Sequence, residues 1–215
     1  MLTCKMILYC IHNWSAPAVR VGCALIILLT CLSITGEVGA HPHIWVKYSV
    51  QVHFEDHGLA GFTQQWKFDE MFSNELITMH NLSREGTLSA GEVAVLRQNA
   101  FQNLRDYNYF TYISIDGQPF DVQYVTEFNA WLDGHNLVYE FFVPCTVAAI
   151  KAPKSVQLLV FDTEFFVDVS MVNTNPVQVN SVPGVSWHKE IEPDDAFRFL
   201  GFLKPPVLTI QFWKQ

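Results

Sequence analysis

Beyond residue 40 the chain contains one cysteine, Cys145; the other four (Cys4, Cys10, Cys23 and Cys31) fall within its first 31 residues. A single thiol forms no internal disulfide, and it excludes a zinc site built from cysteines. Basic residues are also scarce, with 13 Lys and Arg against 21 Asp and Glu and no basic run. A net charge of −8 repels a phosphate backbone, so nucleic acid is excluded as a partner. No phosphate loop, nucleophile elbow, Ser-His-Asp order or Cys-His pairing occurs, which leaves no basis for nucleotide use or for hydrolysis through an activated side chain. Internal repeats and low-complexity linkers are absent as well.

No apolar run reaches the roughly 20 residues that a membrane-spanning helix needs. The longest, Val21–Ile34, has 14. Lys5 and Arg20 precede it, and Val38-Gly39-Ala40 places small side chains where signal peptidase requires them. Residues 1–40 are therefore expected to be a cleaved signal peptide, with His41 the first residue of the exported, periplasmic product and no integral membrane segment after cleavage. Loss of Lys5, Arg20 and Glu37 shifts the net charge from −8 to −9. About 175 residues then remain, enough for one domain with an adequate core. The 17 Phe, 7 Tyr and 6 Trp of the chain supply much of the material for it.

From Ile44 to Phe54 apolar and polar residues alternate, the pattern of a half-buried strand. Asp56-His57-Gly58 offers a three-residue hairpin loop with Gly at its left-handed position. A second alternating run places Phe62, Gln64, Trp66 and Phe68 on one side and Thr63, Gln65, Lys67 and Asp69 on the other, so the two runs pair as a hairpin. At Asp69 the period becomes helical through Met71, Phe72, Leu76, Ile77 and Met79. Ser89-Ala90-Gly91-Glu92 then caps a second helix. Strand patterns resume over Tyr109–Ile115, Gln123–Leu132, His135–Val143 and Val156–Val169, joined in part by Asp116-Gly117 and Asp133-Gly134 turns. The tail predicts one helical turn near Pro193–Asp195 and an edge strand over Val207–Trp213. The economical reading is a single α+β domain over residues 41–215: an antiparallel β-rich sheet or sandwich with an inserted EF-hand-like helix-loop-helix at about 69–107.

Cleavage after Ala40 would give His41 both an α-amino nitrogen and an imidazole, a chelating pair for copper, nickel or zinc. His43 follows two residues on, on the same face of an extended chain. Pro42 has no amide proton, so binding through a deprotonated second amide is ruled out and the imidazoles must lead. A hairpin centred on His57 pairs Trp45 with Asp69 and Ile44 with Glu70, and one centred a residue earlier pairs His43 with Asp69 directly; in either register Asp69 and Glu70 return beside His41-Pro42-His43. The candidate metal ligands are therefore His41, His43, Asp69 and Glu70. His53 lies about 33 Å from His43 along a strand and cannot share that site; His57 is excluded for the same reason. His80, His135 and His188 read as surface or turn histidines.

Asn81 to Glu92 fits the twelve-residue calcium-loop frame, with Asn81, Ser83, Glu85 and Ser89 as oxygen donors, Gly86 at the turn and Glu92 at the closing position. Only Glu85 and Glu92 are carboxylates, and Arg84 adds positive charge, so the loop reads as degenerate and calcium is not expected.

Several motifs occur together and in order: His41-Pro42-His43-Ile44-Trp45-Val46 after the signal, Trp66-Lys67-Phe68-Asp69-Glu70-Met71-Phe72-Ser73, the calcium-like loop, Tyr109-Phe110 before Asp116-Gly117, and Phe161-Asp162-Thr163-Glu164-Phe165-Phe166-Val167. This combination resembles the bacterial DUF1007 proteins, often labelled periplasmic components of an uncharacterised ABC-type transport system. The resemblance runs from about His41 to Val169. Members frequently occur beside, or joined to, nickel/cobalt-type permeases. The resemblance thus implies an accessory or solute-binding protein that handles a divalent transition metal (zinc, nickel, cobalt or copper), is not an enzyme, and works with a membrane metal permease. The chain departs from the family at Asn81 and Ser83, where acidic residues are common, and in its tail after about Pro193. Two other readings remain open at this point. One is a copper-dependent redox enzyme using the N-terminal His; the other is a metal-free β domain that docks a protein.

Overall fold

The computed structural model describes residues 43–84, 87–193 and 204–215, all within one unit, His41–Gln215. The signal peptide expected over residues 1–40, His41, Pro42, Glu85, Gly86 and the helical turn expected near Asp195 lie outside the described residues.

The first alternating run forms β1 (Ile44–Glu55), and its Val46, Tyr48, Val50, Val52 and Phe54 are all buried. β2 (Gly58–Phe68) returns antiparallel with Val46 opposite Phe68 and Val52 opposite Phe62, the register expected from the sequence. The turn differs. Glu55 pairs with Gly58, leaving a two-residue loop of Asp56 and His57, and a bulge at Ala60 restores the register. Gly61 beside that bulge has φ +155°, and a Cβ there would collide with the Val143 carbonyl oxygen. Only glycine allows so close an approach between neighbouring strands.

β5 (Thr126–Asp133) and β6 (Asn136–Ala148) extend this sheet on the β2 side, giving the order β5-β6-β2-β1. On the other side β8 (Val167–Met171) and β9 (Val177–Asn180) run parallel to β1. The second sheet comprises β10 (Val185–Pro193), β11 (Pro206–Lys214), β7 (Lys154–Val160), β3 (Thr111–Ile115) and β4 (Gln118–Phe120), in that order and antiparallel throughout. Their buried faces share one hydrophobic core. Phe54 of the first sheet meets Phe212 of the second edge to face at 5.3 Å, and Trp66 stacks on Phe110 at 6.0 Å. Each side chain of this size contributes roughly 1.5–3 kcal/mol through burial.

Between β2 and β3 the chain forms α1 (Glu70–Met79), α2 (Ala90–Asn99) and a 3-10 segment (Phe101–Phe110). Leu76 and Ile77 of α1 face the core, whereas Met71 and Met79 are exposed, so the helix buries a narrower stripe than its spacing predicts. Ser73 pins α1 to the sheet: its hydroxyl donates to the Asp69 carbonyl at 2.6 Å and accepts from the Leu137 amide at 2.8 Å. The protein is an α+β fold of mainly antiparallel sheets, and among the described residues no helix is long and apolar enough to cross a membrane.

Three segments depart from expectation. The strand predicted from Tyr109 begins at Thr111, because Asn108, Tyr109 and Phe110 hold φ near +50°. The run Val156–Val169 is two strands, broken where Asp162 folds the chain back on itself: Oδ1 accepts from the Glu164 amide at 3.0 Å and Oδ2 from those of Phe166 and Val167 at 2.9 Å. The last strand is not an edge. β11 lies between β10 and β7, consistent with the burial of Val207, Leu208, Ile210 and Phe212.

Candidate metal centre

Asp69 is the residue at which strand becomes helix. Its backbone is extended (φ −62°, ψ 161°), and Oδ1 accepts from the Phe72 amide at 2.9 Å, an N-cap for α1. Oδ2 accepts from the Trp45 amide at 3.0 Å, while the Asp69 amide donates to the Trp45 carbonyl at 2.9 Å. One carboxylate thus closes the end of the β1/β2 ladder and starts the helix. Each oxygen has a lone pair left for a further partner. Glu70, the first residue of α1, is exposed.

His43 stands one residue before β1. Its amide donates to the Phe166 carbonyl at 2.9 Å, and its exposed ring lies against Phe166 with centroids 4.9 Å apart. β8 pairs Asp168 with Trp45, so Trp45 has Asp69 on one side and Asp168 on the other. Asp168 was not a sequence candidate. The signal that could have found it is the Phe161–Val167 motif, which ends one residue earlier and whose Asp162 turn aims β8 alongside β1.

An imidazole with nearby carboxylates suits zinc, nickel, cobalt or copper, and the donors on the described residues are of that class. Among the described residues no three His, Cys, Asp or Glu side chains converge closely enough to hold an ion. His41, the other histidine expected at the site, lies outside the described residues. The other histidines stand elsewhere. His53 is tied to Thr63 through Nε2 at 2.9 Å, with burial pulling its pKa down and Glu127 opposing; His57 meets Glu55 at 3.5 Å. Cys145 is fully buried, and burial pushes its thiol up to about 12, which removes the thiolate a metal would need.

The calcium-like loop joins two helix caps. Asn81 adopts φ +51°, Leu82 N–H donates to Ile77 O at 2.9 Å and Asn81 N–H to Thr78 O at 3.3 Å, a Schellman end to α1. Ser89 and Glu92 then form a reciprocal capping box for α2. Glu92 Oε1 also accepts from the Ser83 amide at 2.5 Å, and Oε2 from the Ser89 amide at 2.8 Å. Both closing oxygens are thus engaged by the protein. The Ser89 and Ser83 backbone donors hold the Glu92 carboxyl down at about 2. A depressed folded pKa gives stability that is full above the unfolded value of about 4.3 and lost as pH falls through the folded one. Thermal melts from pH 6 to pH 2 should show wild type losing its advantage over Glu92→Gln as the pH falls; curves that stay parallel would contradict this bonding.

Two similar proteins are uncharacterised. An uncharacterised protein of Haemophilus influenzae is 25% identical over 170 residues, covering 78% of this chain and 80% of that protein. An uncharacterised 15.5 kDa protein in the trpE 3′ region of Spirochaeta aurantia is 25% identical over 109 residues, covering 51% of this chain and 77% of its own length. A family model described as a protein of unknown function, DUF1007, matches residues 26–197, a span that takes in the β1/β2 hairpin, the helical insertion and the Asp162 turn. On that match the chain belongs to the DUF1007 family.

Proposed function

We propose that the protein is a periplasmic metal-binding accessory that holds a divalent transition metal at its N-terminal strand and exchanges it with a membrane metal permease. The observation that carries this reading is the hydrogen-bonded pairing of Trp45 with Asp69. It fixes a carboxylate beside the strand that His43 leads into, with Glu70 next to it and Asp168 on the strand's other flank. In this reading His41 contributes its amino group and imidazole, His43 a second imidazole, and Asp69 or Glu70 an oxygen. Ligands on a chain terminus leave coordination open enough for exchange, which a carrier requires. The acidic balance of the chain favours cation approach.

The test is the intact mass and metal content of the exported protein, taken from wild type and from a His41→Ala, His43→Ala variant. The expected mass begins at His41, and metal co-purifies with wild type at near one equivalent but not with the variant. A different first residue, or equal metal in both, would overturn the site.

A further inference from the structure

A cavity of about 340 Å³ lies between the buried face of the first sheet, α1, the 3-10 segment and the turn at 162–167. Trp66, Phe68, Leu76 and Leu104 are among its walls. Its volume falls in the range of small-molecule pockets, roughly 300–1,000 Å³. Two further observations set it apart from a packing void. Tyr139 lines it, and the Tyr139 hydroxyl is fully buried with no hydrogen-bond partner in the protein. Such groups are nearly always satisfied in folded proteins. Tyr48 has the same orphaned hydroxyl but does not line this cavity. In addition, Tyr107 and Phe166 line the cavity while remaining 48% and 50% exposed, so aromatic rings stand at its mouth.

Charge narrows the ligand class. Asp162 and Glu164 are the ionisable acids among the lining residues, and no Lys or Arg is among them. Both Asp162 oxygens are occupied by backbone amides, whereas Glu164 is exposed and faces incoming solutes as an anion. A carboxylate, sulfonate or phosphate head group would meet repulsion with no Lys or Arg in the lining to offset it.

We infer that this cavity is a binding site for a neutral or cationic small molecule with an aromatic or aliphatic body. The site shares Phe166 with the surroundings of His43 but needs no metal, so it stands or falls separately from the reading above.

Two matched fluorophores test it, both in the presence of EDTA: neutral N-phenyl-1-naphthylamine and 8-anilinonaphthalene-1-sulfonate, the same skeleton carrying an anionic group. The neutral probe should bind saturably with blue-shifted emission, at least tenfold more tightly than the sulfonate. Leu104→Trp, or Ala100→Trp should the first fail to fold, should fill the cavity and abolish binding at an unchanged melting temperature. Absence of saturable binding, equal affinity for the sulfonate, or full binding in a folded cavity-filling variant would overturn the site.

Discussion

Replacing Gln64 with leucine is expected to destabilise the protein by about 2–3 kcal/mol, a fall of roughly 5–10 °C in Tm. Gln64 is fully buried on β2, where its Oε1 accepts from the Trp66 indole N–H at 2.9 Å and its Nε2 donates to Thr111 Oγ1 at 2.9 Å. Thr111 in turn donates to the Tyr109 carbonyl at 2.8 Å. This chain of bonds crosses from one sheet to the other and holds the left-handed residues Asn108 to Phe110 that precede β3. Leucine matches much of the volume but leaves the indole N–H buried without a partner, and that desolvated donor is the main source of the loss. Thermal denaturation checks it, and a change under about 0.5 kcal/mol would mean the network contributes little.

The second large effect concerns Asp69, where two substitutions separate structure from chemistry. Asp69→Ala removes the α1 cap and the acceptor for the Trp45 amide, and should cost about 1–2 kcal/mol. Asp69→Asn keeps one acceptor for the α1 cap, but its NH2 group then faces the Trp45 N–H and cannot accept from it, so it should cost about 0.5–1.5 kcal/mol, less than alanine. It nevertheless removes the negative charge, and metal affinity should fall about tenfold or more if the carboxylate acts on the ion directly or through a bonded partner. Asparagine with unchanged affinity would reduce Asp69 to a purely architectural residue and leave Glu70 as the acidic donor.

Much of the fold is legible in the sequence because one face of each sheet is buried. The alternation from Ile44 to Phe68 set both the faces and the register, and Asp116-Gly117 and Asp133-Gly134 marked the β3/β4 and β5/β6 turns. The capping box at Ser89 and Glu92 was readable for a similar reason, since it is local. Long-range placement was not readable. Nothing in Val207–Trp213 says that the preceding strand, β10, covers its other side, and Val156–Val169 reads as one strand because Phe161, Phe165 and Phe166 continue the apolar pattern through the Asp162 turn. Of the candidate site, Asp69 and its pairing with Trp45 followed from register. Asp168 did not, because it reaches Trp45 only through a parallel strand more than a hundred residues away in sequence. The Asn81–Glu92 frame looked like a calcium loop because helix ends and calcium loops call on similar residues: Asn for a left-handed stop, Ser and Glu for the next start.

The proposed function depends on the N-terminal histidines binding a divalent transition metal. Calorimetric titration of nickel, zinc and copper into protein beginning at His41, beside the same protein with His41→Ala and His43→Ala, tests it most directly. One saturable site is expected in the wild type for at least one of these metals, weakened at least tenfold in the double variant with no change in Tm of the metal-free protein. Equal affinities in the two proteins, or no saturable binding of any of the three metals, would contradict it.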